Sequence, residues 1–244
     1  MALNAYEAAV QALIQAPSSP TPLVATPLLV ININTARNQV AAQGECIRNY
    51  ATLAVTAAAQ QYPFSAITLG TAIPPNSVGG VLSVRKATFG VGGGQGRIYN
   101  REFEWFQNYI LANPAPVAAQ PKYWAQYGQG VNGTLFVNLP DGPYTLTLDC
   151  ACLPVPLVDD NTPEAISELW TDAVPYYAAW LSMTDLQRQA DAEMMLKRFD
   201  LLMARARQTA TPSVLPHQFS GGPDPMMANR LGITPAARGG GATG

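Results

Sequence analysis

The chain has 244 residues, 48% of them hydrophobic and only 12% charged, against a usual charged share of about 25%. That length is ample for a buried core, and so little charge is unusual for a protein that works alone in solution. With 14 Lys and Arg against 16 Asp and Glu the net charge is -2, which excludes an overall basic field drawing the chain to nucleic acid or to an anionic membrane.

In residues 2–16, Leu3, Tyr6, Val10, Leu13 and Ile14 recur at helical spacing and predict a short amphipathic helix. Pro17, Pro20, Pro22 and Pro27 follow and are expected to stop it, leaving residues 1–34 as a helix and a proline-rich arm. Residues 35–49 predict a second helix with Ala36, Val40, Ala41 and Ile47 on one stripe, Cys46 beside it, and Asn34 or Thr35 as cap.

From 50 to 156 the pattern turns to short apolar runs between Pro, Gly and Asn, which predicts strands over 51–57, 66–69, 81–89, 96–99, 134–138 and 144–153. Leu135 and Val137 fall on one face of their strand and Phe136 on the other. Pro140 to Pro143 turn the chain into a strand where Leu146, Leu148, Cys150 and Cys152 alternate with Thr145, Thr147, Asp149 and Ala151. One face is therefore expected to be buried and to carry both cysteines.

Helical spacing resumes at Glu164 with Ile166, Leu169, Trp170, Ala173, Tyr177, Trp180 and Leu181. Pro163 suits a helix start, and Pro175 is expected to break or kink the segment after Val174. A last helix is predicted over 185–208, with Ala192, Met195, Phe199, Leu202 and Ala206 on one stripe. Met194, Leu201 and Met203 widen that stripe, so this helix needs cover on more than one side, in part from another subunit. Residues 210–244 are rich in Pro and Gly, show no period, and are expected to be extended or disordered alone. The fold class is therefore α+β. A helical bundle (residues 35–49 and 157–209, with the N-terminal helix) carries a large inserted antiparallel β domain (50–156) and an extended C-terminal arm.

Chemistry-bearing motifs are sparse. No apolar run reaches the roughly 18–20 residues that span a bilayer. The N-terminal stretch carries Glu7 and no Lys or Arg, unlike a secretory signal, so the protein reads as cytosolic when made. Three cysteines without a CxxC pair, and the single His217, supply neither a zinc set nor a disulfide framework, so no metal or cofactor is expected. The glycine-rich GVGGGQG at 90–96 lacks the Gly-Lys-Ser/Thr of a phosphate loop and reads as a hairpin or inter-subunit loop. No Gly-x-Ser-x-Gly elbow is present, and the carboxylate pairs Asp159/Asp160 and Glu102/Glu104 read more simply as connections, with Asn161 or Thr162 capping the helix that follows the first. Asn132-Gly133-Thr134 matches a glycosylation acceptor and reads as a turn. No enzyme is expected.

Between Glu45 and Glu102 no acidic residue occurs, while Arg48, Arg85, Lys86, Arg97 and Arg101 do. This is either a chance imbalance on a sparse surface or a patch, with Arg85, Lys86, Arg97 and Arg101 its candidates, that meets an acidic protein or DNA phosphates. Trp105, Trp124 and Tyr127 keep open a carbohydrate-binding or hydrolytic β module, although tryptophans beside Pro and Gly are more often loop staples.

The words INTARNQVAAQGECIRNYATL, QQYPFSAI, PKYWAQYG, LFVNLPDGPYTLTLDCACLPVPLVDD, TPEAISELWTDAVPYYAAW and QRQADAEMMLKRFDLLMARAR, across roughly residues 35–208, carry a resemblance. The chain resembles the head-to-tail adaptor proteins of tailed bacteriophages and is similar in plan to the tail tubular protein A group of short-tailed phages. That resemblance implies a virion protein, assembled in the host cytoplasm, that forms a ring, usually dodecameric, between the portal and a tail nozzle or tail tube protein, with double-stranded DNA passing through and held non-specifically. It also implies that the C-terminal arm clasps the portal, where Leu215, Phe219, Met226, Met227 and Leu231 would be the apolar anchors. Trp170, Tyr176, Tyr177 and Trp180 are the candidate inter-subunit anchors, with core packing an equally good reading of all four. Another virion structural protein, such as a capsid-associated or tail component, is the alternative. Neither reading involves a membrane.

Overall fold

Apolar residues three and four apart set the first helix, α1 (Leu3–Leu13), which buries Leu3, Tyr6 and Val10. Its first turn is capped from far along the chain, since the Asn4 amide donates to Asp160 Oδ1 at 2.8 Å. The computed structural model describes residues 1–14, 23–72, 74–91, 94–114 and 116–210. The C-terminal arm from residue 211 onward lies outside them, as do most of the prolines that follow α1.

The second helix, α2, runs Thr26–Gly44 and corrects the expected span of 35–49 at both ends. Pro27 sits in its first turn, where its missing amide costs nothing, so the proline opens the helix instead of closing the arm before it. At the other end Glu45 takes a left-handed conformation with φ 44°, and strand β1 (Arg48–Val55) begins three residues later. Gly44 is required there by packing, because a Cβ would lie 2.7 Å from the Trp170 ring.

Among the described residues nine strands form two sheets. Beyond β1 they are β2 (Gln61–Pro63), β3 (Thr68–Leu69), β4 (Val78–Val91), β5 (Gly94–Arg97), β6 (Tyr99–Asn100), β7 (Tyr123–Tyr127), β8 (Thr134–Val137) and β9 (Tyr144–Pro154). The five-stranded sheet has the order β3-β1-β9-β4-β5 and is antiparallel throughout. The four-stranded sheet has the order β2-β8-β7-β6, in which β6 runs parallel to β7, a departure from the antiparallel expectation. A short helix, α3 (Phe103–Phe106), continued by a π-helical turn over Gln107–Leu111, lies between β6 and β7 and returns the chain for that parallel pairing. The sequence reading assigned this region to strands alone, although Phe103, Phe106 and Ile110 recur at three and four.

β9 is the central strand, and Leu146, Leu148, Cys150 and Cys152 are fully buried as their alternation predicts, although Ala151, expected on the other face, is fully buried as well. Register places Leu53 and Phe89 on either side of Leu146, and Ala51 and Ala87 on either side of Leu148. Both faces of β8 are covered, so Leu135 and Val137 enter the main core while Phe136 packs with Phe106 and Ala125 in a smaller cluster. The main core runs from α1 and α2 through the five-stranded sheet, so helices and strands bury their apolar faces against one another.

After β9 come α4 (Glu168–Thr171), α5 (Val174–Asp185) and α6 (Gln189–Ala210). The helix expected to start at Glu164 starts later, and Pro175 stands in the first turn of α5. Residues 159–162 turn instead, with Asp159 accepting from the Asn161 and Thr162 amides and from the Thr162 hydroxyl at 2.7 to 3.1 Å, and 163–167 follow without helix. α1, α2 and α5 pack together, and α2 also crosses β9. Asn32 on α2 donates to Ser182 Oγ on α5 at 3.1 Å, a buried polar bridge whose hydroxyl in turn donates to Ala178 O.

Candidate interaction surfaces

The polar groups buried deepest hold the helices to the sheet. Arg37 on α2 is fully buried and donates twice to Glu164, from Nε at 3.0 Å and Nη2 at 2.7 Å, while Nη1 reaches Asn34 Oδ1 and Val155 O. Tyr6 on α1 donates its hydroxyl to Glu164 Oε2 at 2.9 Å, and the Ile166 amide donates to Oε1 at 3.0 Å. Burial, then the charge of Glu164 and the hydrogen bond to it, push the Tyr6 phenol far above its ordinary range. Asn34 clamps the Leu157 backbone through both its amide atoms. These contacts strap the connection after β9 across α1 and α2. They satisfy one another.

The outward face of the five-stranded sheet carries charge. Three register shifts in β4 absorb extra residues, and the one between Val84 and Lys86 leaves both Arg85 and Lys86 exposed, which strict alternation forbids. Arg85 pairs with Glu45 and Arg48 pairs with Asp149, the residue opposite Lys86 in register. A shallow cleft of about 570 Å³ opens over Arg48, Tyr50, Lys86, Thr88, Thr147 and Asp149. The stretch that is basic in sequence is thus met in space by Glu45 and Asp149 from outside it. Arg97 pairs with Thr88 through the backbone, and its side chain lies outside the described residues.

Arg101 is engaged on the four-stranded sheet, its guanidinium 5.0 Å from the Trp105 ring centre and 5.4 Å from that of Tyr123. Trp105 stacks on Tyr109 at 5.2 Å, and Tyr109 and Tyr127 are largely exposed. Trp124 is buried in the core, which removes one of the three rings that a sugar platform there would use.

The expected inter-subunit anchors separate by burial. Trp170 is buried against Gly44, and Tyr177 lies 4.9 Å from both Trp180 and Phe199, joining α5 to α6. Tyr176 instead lines an apolar groove of about 340 Å³ with Met194, Met195, Lys197, Arg198 and Leu201 of α6. Met194 and Leu201 are 59% and 65% exposed, so the part of the apolar stripe that they add is left uncovered by the described residues, while Met203 is buried. The groove was legible only in part, as Met194 and Leu201 spoiling a one-sided helix. The portal anchors Leu215, Phe219, Met226, Met227 and Leu231 lie outside the described residues.

Burial pushes the thiols of Cys46 and Cys150 up to about 12 and that of Cys152 to about 11, so each is a thiol and not a nucleophilic thiolate at neutral pH. Among the described residues no group of His, Cys, Asp and Glu is placed to hold a metal ion, and no helix is long and apolar enough to cross a membrane.

The family model described as SU10 adaptor protein matches residues 3–217, from the start of α1 past the end of α6. The chain belongs to this family. It is a tailed-phage head-to-tail adaptor, a structural protein of the virion. No curated protein matches the adaptor. The match covers the α+β body whole, both sheets as well as the helices, and reaches His217, two residues past Leu215.

Proposed function

We propose that the adaptor forms a ring between the portal and the tail, with double-stranded DNA passing through its opening. The observation that carries this reading is the family match over the whole α+β body. The uncovered apolar face of α6 supports it, since a subunit that leaves Met194 and Leu201 in water is suited to burying them against another chain. In this reading the ring is dodecameric and seats on the portal, and a tail nozzle or tail tube protein docks below. Leu215, Phe219, Met226, Met227 and Leu231 of the C-terminal arm supply apolar anchors to the portal. Tyr176, Tyr177 and Trp180 lie at or beside the inter-subunit contact, and Trp170 supports it from the core. Arg85, Lys86, Arg97 and Arg101 face DNA or an acidic partner wherever their own partners leave charge over.

The deciding measurement is the mass of the purified chain by light scattering, alone and with a portal ring. The expected result is a monomer alone that joins the portal as a closed ring. A chain indifferent to the portal would overturn the reading and favour a capsid-associated or tail-tube role.

A further inference from the structure

The geometry points to a head-to-tail contact between copies of this chain, in which the α6 groove of one copy receives the outer face of the α2 N-terminal turns of the next. This rests on the ring reading and adds the surfaces that meet. The groove has an apolar floor of Tyr176, Met194, Met195 and Leu201 and a basic rim of Lys197 and Arg198. The facing surface has the complementary make-up. Ile31 is 60% exposed, Leu28 is exposed one turn before Asn32, and the Asn32 amide reaches Asp185, an exposed carboxylate at the end of α5. Apolar side chains therefore meet apolar side chains, and Asp185 supplies an acid to the Arg198 rim, which has no ion pair among the described residues.

The two surfaces also point in different directions. Tyr176 and Asp185 stand nine residues apart on α5, and at about 100° per residue that separation turns them to opposite faces of the helix. Patches on opposite faces do not make a two-fold contact in which each surface meets its own copy. They make a heterologous contact, which repeats from copy to copy and closes into a ring when its rotation allows. Few side chains take part, well short of the roughly 20 to 30 residues a side of a stable standard interface. The contact is accordingly too weak to hold free subunits together, and it forms when the portal raises their local concentration.

The test uses the full chain with a portal ring and reads the mass of the assembly and the subunit concentration that gives half occupancy. Leu201→Glu, Ile31→Glu, Arg198→Asp and Asp185→Arg are each expected to raise that concentration at least tenfold with an unchanged thermal midpoint. Combining Arg198→Asp with Asp185→Arg is expected to restore assembly, which a merely misfolded subunit would not do. Variants that all form rings as well as the parent would overturn the pairing while leaving the ring intact. Single subunits of Leu201→Glu that no longer touch the portal would show a portal site and overturn it too. A parent chain that forms no ring would remove the underlying reading itself.

Discussion

Arg37 stakes much of the fold on one residue. A guanidinium so deeply buried is costly unless its nitrogens find partners, and here the carboxylate of Glu164 takes two hydrogen bonds while Asn34 and Val155 take one each. Replacing Arg37 with Met strands the Glu164 carboxylate between Tyr6 and the Ile166 amide. The expected cost is about 3–5 kcal/mol, read from the urea midpoint. Removing the charges and the phenol together, as Arg37→Met with Glu164→Leu and Tyr6→Phe, should return part of it, because no charge is then left buried alone, while the Ile166 amide and Val155 O still lose their partners. A loss below about 1 kcal/mol in the single variant would mean that the pair behaves like a surface bridge. None of this was legible in the sequence. Arg37 and Glu164 are 127 positions apart, and a contact across that distance leaves no local period. Glu164 even stood at the head of an expected helix, since Pro163 before it is a helix-start signal that the long connection overrode.

Elements whose burial is one-sided were the ones the sequence revealed. β9 alternates because one face meets the core and the other carries Thr145, Thr147 and Asp149, so its cysteines were correctly placed as buried residues. α2 was misjudged because Leu29, Asn32, Ile33, Ala36, Arg37, Val40 and Ala41 are buried over a wide arc, which blurs the stripe and lets Pro27 look like a stop. α3 and β7 were missed because each is short and held by the second cluster around Phe106 and Phe136. α6 is the element most open to test. It buries Ala192, Phe199, Met203 and Ala206 over 22 residues, and Phe199 is the largest of them. Phe199→Ala should cost about 3–5 kcal/mol of local attachment through the lost contact with Tyr177. Hydrogen exchange should then speed up across 189–210 while the β9 amides keep their protection. Equal loss of protection in β9 would show that α6 opens only with the whole body.

At the scale of the molecule, charge decides how the proposed ring would treat DNA. The chain carries a net charge of -2, and several of its cations are spent internally. Arg37 is held by Glu164, Arg48 by Asp149, Arg85 by Glu45 and Arg188 by Asp191, while Arg101 lies on the rings of Trp105 and Tyr123. A cation already matched by an acid releases little counterion when a phosphate approaches, and counterion release is what drives non-specific binding, with a slope of about -0.9 per phosphate neutralised. In the proposed ring, a passage lined by such subunits would let a duplex slide and would not grip it. Anisotropy of a labelled duplex with the assembled ring should accordingly give an affinity no tighter than about 10 µM near 0.15 M salt, within the range of non-specific contact and falling further as salt rises. Arg48→Ala should change it little, because that residue's charge is already spent on Asp149, and the freed carboxylate would if anything weaken binding further. Nanomolar affinity that persists as salt is raised would contradict this account and require a cationic surface formed only between subunits.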